Sequence, residues 1–349
     1  MKIPFINDTH FGLKNDSHIF REYFNRFFQD VFFPYIDQHQ IKEIVHLGDL
    51  MDRRKYVNFE TLKYVRENFF EPLAQRNVTI HVMLGNHDVY YKNTNSVNSI
   101  RELFGDLPNV RLYETFQDAV VAGFQFAIVP WICPDNQNDF EQFIKQTSST
   151  VALGHLELQG FEVLRGIRSE EGLSKNVFEK FESVYSGHFH QKNDDGHVYY
   201  LGTQYDMTFA DIDERKGFHV FDTETRTVEF VANPQKMFYR LTYDDSTTQD
   251  VPDFSQYANT YVKLIVRNKR YPKTFDRYIN KLYEACPYEV NIIEEYELAD
   301  ALADDIDITQ DTLGIIYSDI DDNKNYESAA ANSLKKIMTD LYLESFEVD

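Results

Sequence analysis

The sequence predicts an α/β fold: a four-layer α/β/β/α sandwich, a small α+β domain and a C-terminal helical segment. Strand-like and helix-like segments alternate from residue 1 to about residue 235. Early strands are separated by helices and late strands by short turns, a pattern typical of two packed sheets flanked by helices. Beyond a polar stretch at about 233–253, a strand–helix–strand pattern indicates a second, smaller domain.

The first helix is predicted after Asp16 and Ser17, which are candidate N-caps. Apolar residues then recur at helical spacing: Ile19, Phe20, Tyr23, Phe24, Phe27, Phe28, Val31 and Phe32. The strands predicted next are "EIVHL", "VTIHVML", "FQFAIVP", "TVALG", "SVYSG", "HVYYLG", "GFHVF" and "TVEFV". In the second domain, "YVKLIV" and "YEVNII" predict strands on either side of the helical "TFDRYINKLYEA".

The polar segments "NPQK" and "DDSTTQDVPD" predict the domain boundaries, giving residues 1–235, 240–296 and 300–349. The last part is acidic: residues 290–349 hold 16 Asp and Glu against 3 Lys, about −13 of the net charge of −22. An apolar stripe near its end predicts a helix that docks on its own chain or binds another protein. The stripe consists of Ala330, Leu334, Ile337, Met338 and Leu341.

Composition narrows the class of protein. With 349 residues, 42% of them hydrophobic, the chain can form a substantial core. The net charge of −22 argues against a generally basic surface for nucleic acid, but not against a local basic channel. Cys133 and Cys286 fit no metal or redox spacing, and no apolar segment reaches the ~18 residues that a bilayer span requires. We expect a soluble cytoplasmic protein with reduced thiols and no membrane partner.

Polar side chains that can bind metals follow several predicted strands. Asp8 and His10 follow the first strand, and their i, i+2 spacing directs both side chains to one side if the backbone is extended. The other motifs are "HLGDLMD" with Asp49, "LGNHD" with Asn86 and His87, "ALGH" with His155, and "SGHFH" with His188 and His190. Because strand ends meet at one edge of a layered α/β sheet, we expect these groups to converge.

The donor set fits two divalent ions. Two aspartates, four histidines and one asparagine are too many ligands for one tetrahedral zinc ion. Nitrogen and oxygen donors without a thiolate favour manganese, with magnesium as the alternative. Two such ions can stabilise the attacking and leaving oxygens in phosphoester hydrolysis. Asp49 is the natural bridge, because a carboxylate offers one oxygen to each ion.

The motifs "DTH", "GDLMDRR", "GNHD", "GH" and "SGHFH", in this order and spacing, resemble those of the calcineurin-like metallophosphoesterases. The first motif lies at the N-terminus and a small unit is appended, which makes the chain more similar still to SbcD-type DNA repair nucleases and their counterparts in tailed phages. The resemblance covers about residues 8–190. It implies the metallophosphoesterase sandwich, with a capping domain at 240–296 that takes part in DNA binding.

Carried over motif by motif, the resemblance implies two ligand sets bridged by Asp49. The first set is Asp8, His10 and His190, and the second is Asn86, His155 and His188. His87 is then not a ligand but acts near the leaving group. Asp52 is expected to pair with His87 and Arg53 to hold a phosphate oxygen. Ordinary salt bridges are the alternative for Asp52 and Arg53.

The resemblance further implies a metal-dependent DNA nuclease, an exonuclease on duplex ends and an endonuclease on single strands, in DNA repair, recombination and replication. Its expected partners are DNA and an SMC-like ATPase of the SbcC or Rad type, held by the segment 300–349, with two nuclease copies pairing in a heterotetramer. A metallophosphatase or cyclic-nucleotide phosphodiesterase on the same scaffold is the alternative, although neither needs the second domain. A scaffold with a vestigial site would lack ligands, and none is lacking.

Overall fold

The computed structural model describes residues 1–164, 167–247 and 250–294, together with residues 320, 334, 335, 337 and 338. The described chain separates into two compact units. The first contains Met1–Met207 and Asp213–Gln235, and the second contains Thr208–Ile212 and the described residues from Lys236 onward. In these parts of the chain, no helix is long and apolar enough to cross a membrane.

The predicted C-terminal segment, 300–349, lies mostly outside the described residues. Of its apolar stripe, Leu334, Ile337 and Met338 are helical, whereas Ala330 and Leu341 are not among the described residues. The roles expected of this segment therefore stay predictions.

Two six-stranded sheets form the first unit, each with parallel strands in its centre. The order in the first sheet is Val228–Ala232, Gly217–Asp222, Lys2–Ile6, Glu43–His46, Thr79–Met83 and Val110–Tyr113. The order in the second sheet is Asn193–Asp194, Val198–Tyr200, Ser183–Gly187, Val151–His155, Phe124–Val129 and Gln117–Val121. Two short hairpins lie outside these sheets: Val89–Tyr91 with Thr94–Asn98, and Glu162–Leu164 with Ile167–Arg168.

The two sheets share one apolar core, to which both contribute large side chains. Phe5 of the first sheet contacts Phe126 of the second, with ring centroids 6.1 Å apart. Along the strand Gly217–Asp222 the faces alternate. Phe221 belongs to this shared core, whereas Phe218 contacts Phe32 of the neighbouring helical segment at a centroid distance of 5.1 Å. On the other side of the second sheet, Phe140 packs in a separate cluster.

Helices therefore cover the sheets, and the predicted four-layer α/β/β/α sandwich is confirmed. The helices of the first unit are Leu13–Asp16, His18–Phe27, Phe33–His39, Phe59–Val65, Glu71–Gln75, Ser99–Phe104 and Gln137–Gln146. The segment Leu13–Asp16 has left-handed backbone angles at Lys14 and Asn15, so it is a turn rather than a regular helix.

The predicted first helix runs further than its apolar pattern, because a wide turn carries it past a proline. A π segment, Phe28–Phe32, joins His18–Phe27 to Phe33–His39, and the Phe33 N–H donates to the Phe28 carbonyl. Pro34 follows at the start of the next helical segment and has no N–H to donate. Widening the helix by one residue accommodates this loss. Arg66–Phe70 repeats the arrangement before Pro72.

The second unit is a three-stranded parallel sheet with one long helix. Its strands, in order, are Phe238–Asp244, Tyr261–Asn268 and Glu289–Glu294. Helix Pro272–Glu284 buries Phe275, Tyr278 and Leu282 in the core of this unit. The sequence pattern predicted two of these strands but missed Phe238–Asp244, whose mixed aromatic and charged residues adjoin the polar segments that marked the boundary.

Candidate metal centre

The seven predicted metal ligands converge where the central strands of the two sheets end. Asp8 and His10 follow Lys2–Ile6, Asp49 follows Glu43–His46, and Asn86 follows Thr79–Met83. From the second sheet, His155 ends Val151–His155, and His188 and His190 follow Ser183–Gly187. The sheets thus supply ligands from their carboxyl ends, as expected for a site in a layered α/β protein.

Tight left-handed turns, not extended backbone, direct several of these side chains into the site. The φ angle is 48° at Asp8, 42° at His10, 55° at Asp49 and 87° at His188. The expectation that an extended backbone aligns Asp8 and His10 is therefore wrong. Non-glycine residues are disfavoured here by about 1–3 kcal/mol each, so the surrounding structure must hold these turns in place.

The loops carrying Asp49 and Asn86 touch backbone to backbone, which explains the glycines before them. A Cβ atom on Gly48 would lie 2.6 Å from His155 Nδ1 and 2.7 Å from the Gly85 nitrogen. Gly48 also has a φ of 95°, which favours glycine. Larger residues at this position would push the two ligand loops apart.

In the first predicted ligand set, two imidazole rings and a carboxylate face one another. His10 Nε2 lies 3.1 Å from His190 Nε2 and 4.0 Å from Asp8 Oδ1. All three residues offer ligand atoms within 4.8 Å of one another. Asp8 is fully buried, with its carboxylate held by the Asn7 amide at 2.5 Å and by the His188 N–H at 3.0 Å.

The second predicted set adjoins the first through Asp49. Asn86 Oδ1 lies 2.9 Å from both His155 Nε2 and His188 Nδ1. Asp49 Oδ2 lies 3.3 Å from His155 Nε2 and 3.7 Å from His10 Nε2. This carboxylate oxygen therefore stands between a histidine of each set.

The chemistry of these atoms fits a metal cation. His155 Nδ1 lies 2.8 Å from the Leu47 carbonyl, which only accepts, so this nitrogen carries the hydrogen. The lone pair of the neutral ring is then on Nε2, which faces the oxygens of Asn86 and Asp49. Three electron-rich atoms at such distances repel one another unless positive charge lies between them, and a divalent cation supplies it.

Electrostatics of the ligand cluster also favour positive charge. Burial acts to lower the pKa of His155, but the charge of Asp49 and its hydrogen bond outweigh this effect and raise the pKa to about 9. For His10, burial is likewise outweighed, here by Asp52 and Asp49, and the pKa rises to about 9. Burial alone would raise the pKa of Asp49, yet His155 and His87 hold it well below its usual range.

Asp88 ties the two central loops together, although it is not a predicted ligand. Its buried carboxylate accepts from the N–H groups of Asp49 at 2.8 Å, Gly85 at 2.9 Å and Leu50 at 3.0 Å, with Met51 at 3.5 Å. The positions of both loops therefore depend on one carboxylate.

His87 lies at the edge of the ligand cluster, and its ring orientation is fixed. Its Nδ1 is 2.6 Å from the Asp52 carbonyl oxygen, so Nδ1 carries the hydrogen and Nε2 remains for other chemistry. The ring lies edge-on to that of His10, with centroids 4.8 Å apart. Its backbone N–H donates to Asp49 Oδ1 at 2.7 Å.

Asp52 contacts His87 in a different way from that expected. The backbone carbonyl of Asp52, not its carboxylate, receives the His87 Nδ1 hydrogen. The carboxylate lies instead 3.3 Å from His10 Nδ1. The predicted side-chain pairing of Asp52 with His87 is therefore wrong, and the carboxylate orients a predicted ligand, as carboxylates behind metal-binding histidines do.

The guanidinium of Arg53 has protein partners. It donates to Asp16 Oδ2 at 3.1 Å and to Asn15 Oδ1 at 2.6 Å, and it lies 5.1 Å from the ring centroid of Tyr56. This arrangement corresponds to the salt-bridge alternative and not to the expected phosphate contact.

Two residues near the centre were missed from the sequence. Trp131 has its ring 5.3 Å from that of His188. Lys216 is buried, donates to the His190 carbonyl at 2.9 Å and pairs with Glu214 at 2.6 Å. Neither stands in a motif; Trp131 follows a predicted strand, which is the one signal that could have placed it at the site.

The arrangement defines a phosphoester hydrolase built for divalent metals, and comparison with known families agrees. The profile described as Calcineurin-like phosphoesterase matches residues 1–192. The chain therefore belongs to the calcineurin-like phosphoesterase family, which confirms the resemblance of its motifs. It is a hydrolase that acts on phosphodiester bonds.

Individual relatives support this assignment. Exonuclease subunit 1 of Enterobacteria phage T4 is 32% identical over 266 residues, covering 76% of this chain and 77% of that protein. The nuclease SbcCD of Staphylococcus saprophyticus contains a second relative, its SbcD component, which is 20% identical over 211 residues and covers 57% of this chain and 50% of that protein. Among solved structures, an archaeal phosphodiesterase aligns with 67% of this chain and 100% of its own, at 15% identity and a TM-score of 0.32.

Proposed function

We propose that the protein is a metal-dependent DNA nuclease, an exonuclease on duplex ends and an endonuclease on single strands, in DNA repair, recombination and replication. The observation that carries the proposal is the pair of ligand sets meeting at Asp49 beside the oriented ring of His87. The names of the two curated relatives, an exonuclease and a nuclease, support DNA as the substrate.

Two divalent ions, with manganese preferred, suit the donor set. Asp8, His10 and His190 would hold one ion, Asn86, His155 and His188 the other, and Asp49 both. Such ions supply Lewis acidity that offsets the negative charge of the phosphodiester and activates water. Mixed nitrogen and oxygen donors without thiolate are the basis for preferring manganese, with magnesium as the alternative.

The chain's own residues hold the reacting groups in place. His87 offers Nε2 toward the departing oxygen, because its Nδ1 hydrogen is committed to the Asp52 carbonyl. The Asp52 carboxylate orients His10, and Lys216 fixes the backbone of His190. Asp88 holds the Asp49 and Gly85 loops at a fixed separation.

DNA contact requires local positive charge in a chain whose net charge is −22. Arg54 and Lys55 follow Asp52 closely in sequence, near the carbonyl that holds His87. In the second unit, Lys263, Arg267 and Arg270 are further candidates. We expect weak affinity for DNA in the isolated chain, with partner and metals contributing the rest.

Partner binding is proposed for the C-terminal segment. Both curated relatives are named as subunits of larger assemblies, and we propose that residues 300–349 hold an SMC-like ATPase of the SbcC or Rad type. In this arrangement two nuclease copies pair within a heterotetramer.

The test is a substrate panel with manganese or magnesium: linear duplex, circular single strand, a chromogenic diester, a phosphate monoester and a cyclic nucleotide. We expect cleavage of both DNAs and of the diester, with manganese the better metal and duplex degradation stimulated by the ATPase. Matched His87→Ala protein controls for contaminating nucleases. Hydrolysis of the monoester or cyclic nucleotide without DNA cleavage would overturn the proposal in favour of a phosphatase or cyclic-nucleotide phosphodiesterase.

A further inference from the structure

Trp131 presents an aromatic ring beside the second ligand set. It is the single tryptophan of the chain and is half-buried. Its ring centroid lies 5.3 Å from that of His188 and 6.0 Å from that of His155. A large flat ring with part of its surface in solvent therefore stands next to the place where a phosphodiester is cut.

The backbone of Trp131 is anchored on both sides, so the position of the ring is fixed. Its N–H donates to the Leu84 carbonyl at 2.8 Å, in the segment that leads into Asn86. Its own carbonyl accepts from the side-chain amides of Asn95 at 2.9 Å and Asn136 at 3.0 Å. Such anchoring pre-organises a contact with ligand, because little conformational entropy is left to lose on binding.

The hairpin that supplies Asn95 continues this surface. Tyr90 and Tyr91 are 38% and 50% exposed, and their rings lie edge to face at 4.7 Å. Lys92 is exposed and is the single charged residue between Val89 and Asn98. The hairpin is tied to the segment after Trp131, because the Asp135 N–H donates to the Asn93 carbonyl at 3.1 Å.

We propose that Trp131 stacks on an unpaired nucleobase next to the phosphodiester that is cut, with the hairpin tyrosines and Lys92 holding the strand beyond it. The proposal rests on the nuclease function proposed above and assigns its substrate class: a strand whose bases are free to leave the duplex. Stacking on aromatic rings suits every base, because each base has a π face. It is also independent of charge, which matters for a polyanion bound by a chain of net charge −22.

The single tryptophan makes the contact directly observable. Chelator-treated protein, which does not hydrolyse its ligand, is titrated with a thymidine hexanucleotide and with an abasic hexamer of equal length and charge. We expect the thymidine strand to quench tryptophan emission and to bind on the order of tenfold more tightly than the abasic strand. Equal affinity for the two strands, with no quenching, would overturn the proposal.

Cleavage supplies a second readout, the ratio of kcat/KM for the thymidine strand to that for the abasic strand. We expect this ratio to fall to about 1 in Trp131→Ala and to be largely kept in Trp131→Phe, which retains an aromatic face. Phe59→Ala is the matched control, because it removes a ring that is 88% exposed on another element, helix Phe59–Val65.

An equal loss on both strands in Trp131→Ala, with the ratio unchanged, would show that the ring only orients His188 and would overturn base stacking. If Trp131→Ala does not fold, the fluorescence titration of the unmodified protein and the Trp131→Phe ratio still decide. Failure of the nuclease proposal looks different: the chromogenic diester is hydrolysed and neither hexamer is cut, whereas the titration still reports stacking.

Discussion

Replacing Asp88 with Asn tests whether one buried carboxylate holds the two central ligand loops. One carboxylate oxygen accepts from the N–H groups of Asp49 and Gly85, and the other from those of Leu50 and Met51. An asparagine has one oxygen and one NH₂ group. In either orientation, its NH₂ faces two buried N–H donors that lose their acceptor.

Each buried donor left without an acceptor costs about 1–3 kcal/mol, so the substitution should cost about 2–6 kcal/mol. Stabilities of folded proteins are about 5–15 kcal/mol, which makes this a large share. For a unit of this size, the expected fall in melting temperature is roughly 5–20 °C. Because the same donors position Asp49, manganese affinity should fall as well.

The assay is a pair of melting curves, with and without manganese, and a manganese titration of the folded protein. Asp276→Asn is the matched control, because Asp276 is exposed on the helix of the second unit and should leave both measurements unchanged. A shift in melting temperature below about 2 °C together with unchanged manganese affinity would refute the role assigned to Asp88.

The other predictions concern single steps of the account. His87→Ala should retain two manganese ions per chain in metal analysis while hydrolysis falls about 10²–10⁴-fold, because the ring serves the leaving group; ions lost in proportion to activity would make it a ligand. Asp52→Asn should weaken one manganese site about 10–100-fold in an EPR titration by releasing His10, and equal weakening of both sites would count against this. In chelator-treated protein, the raised pKa of His10 and of His155, to about 9, contributes stability present below about pH 6.5 and lost as pH rises toward 9; the melting temperature should fall across that window, and a flat profile would contradict it. Deleting 300–349 should leave a folded diester hydrolase that no longer co-purifies with the ATPase, and retained ATPase would rule out the tether.

Most of the metal centre could be predicted because its information is local. Each ligand stands in a short motif at the end of a recognisable strand, as Asn86 does after "VTIHVM". The motif does not fix how the ligand reaches the site. Asp8 and Asp49 arrive through left-handed turns, which depend on the packing of neighbouring loops and not on spacing in sequence.

The contacts of Asp52 and Arg53 could not be predicted for a different reason. The group that orients His87 is a backbone carbonyl, which every residue possesses, so residue identity carries no signal for it. Arg53 binds Asp16, a residue 37 positions away that the fold alone brings near. Trp131 likewise approaches His188 only through the packing of separate loops.

The strands divide along similar lines. Buried central strands such as Val151–His155 have continuous apolar sequences and were predicted. The edge strand Gln117–Val121 was missed, because only one of its five residues is buried and its apolar pattern is weak. Phe238–Asp244 was missed beside a polar boundary for the same reason.

The central claim is that two metal ions share Asp49, and anomalous diffraction from manganese-soaked crystals of the unmodified protein tests it most directly. The account predicts two anomalous peaks: one bordered by Asp8, His10 and His190, the other by Asn86, His155 and His188, with the Asp49 carboxylate contacting both. A single peak, or two peaks of which one lacks Asp49, would contradict the account.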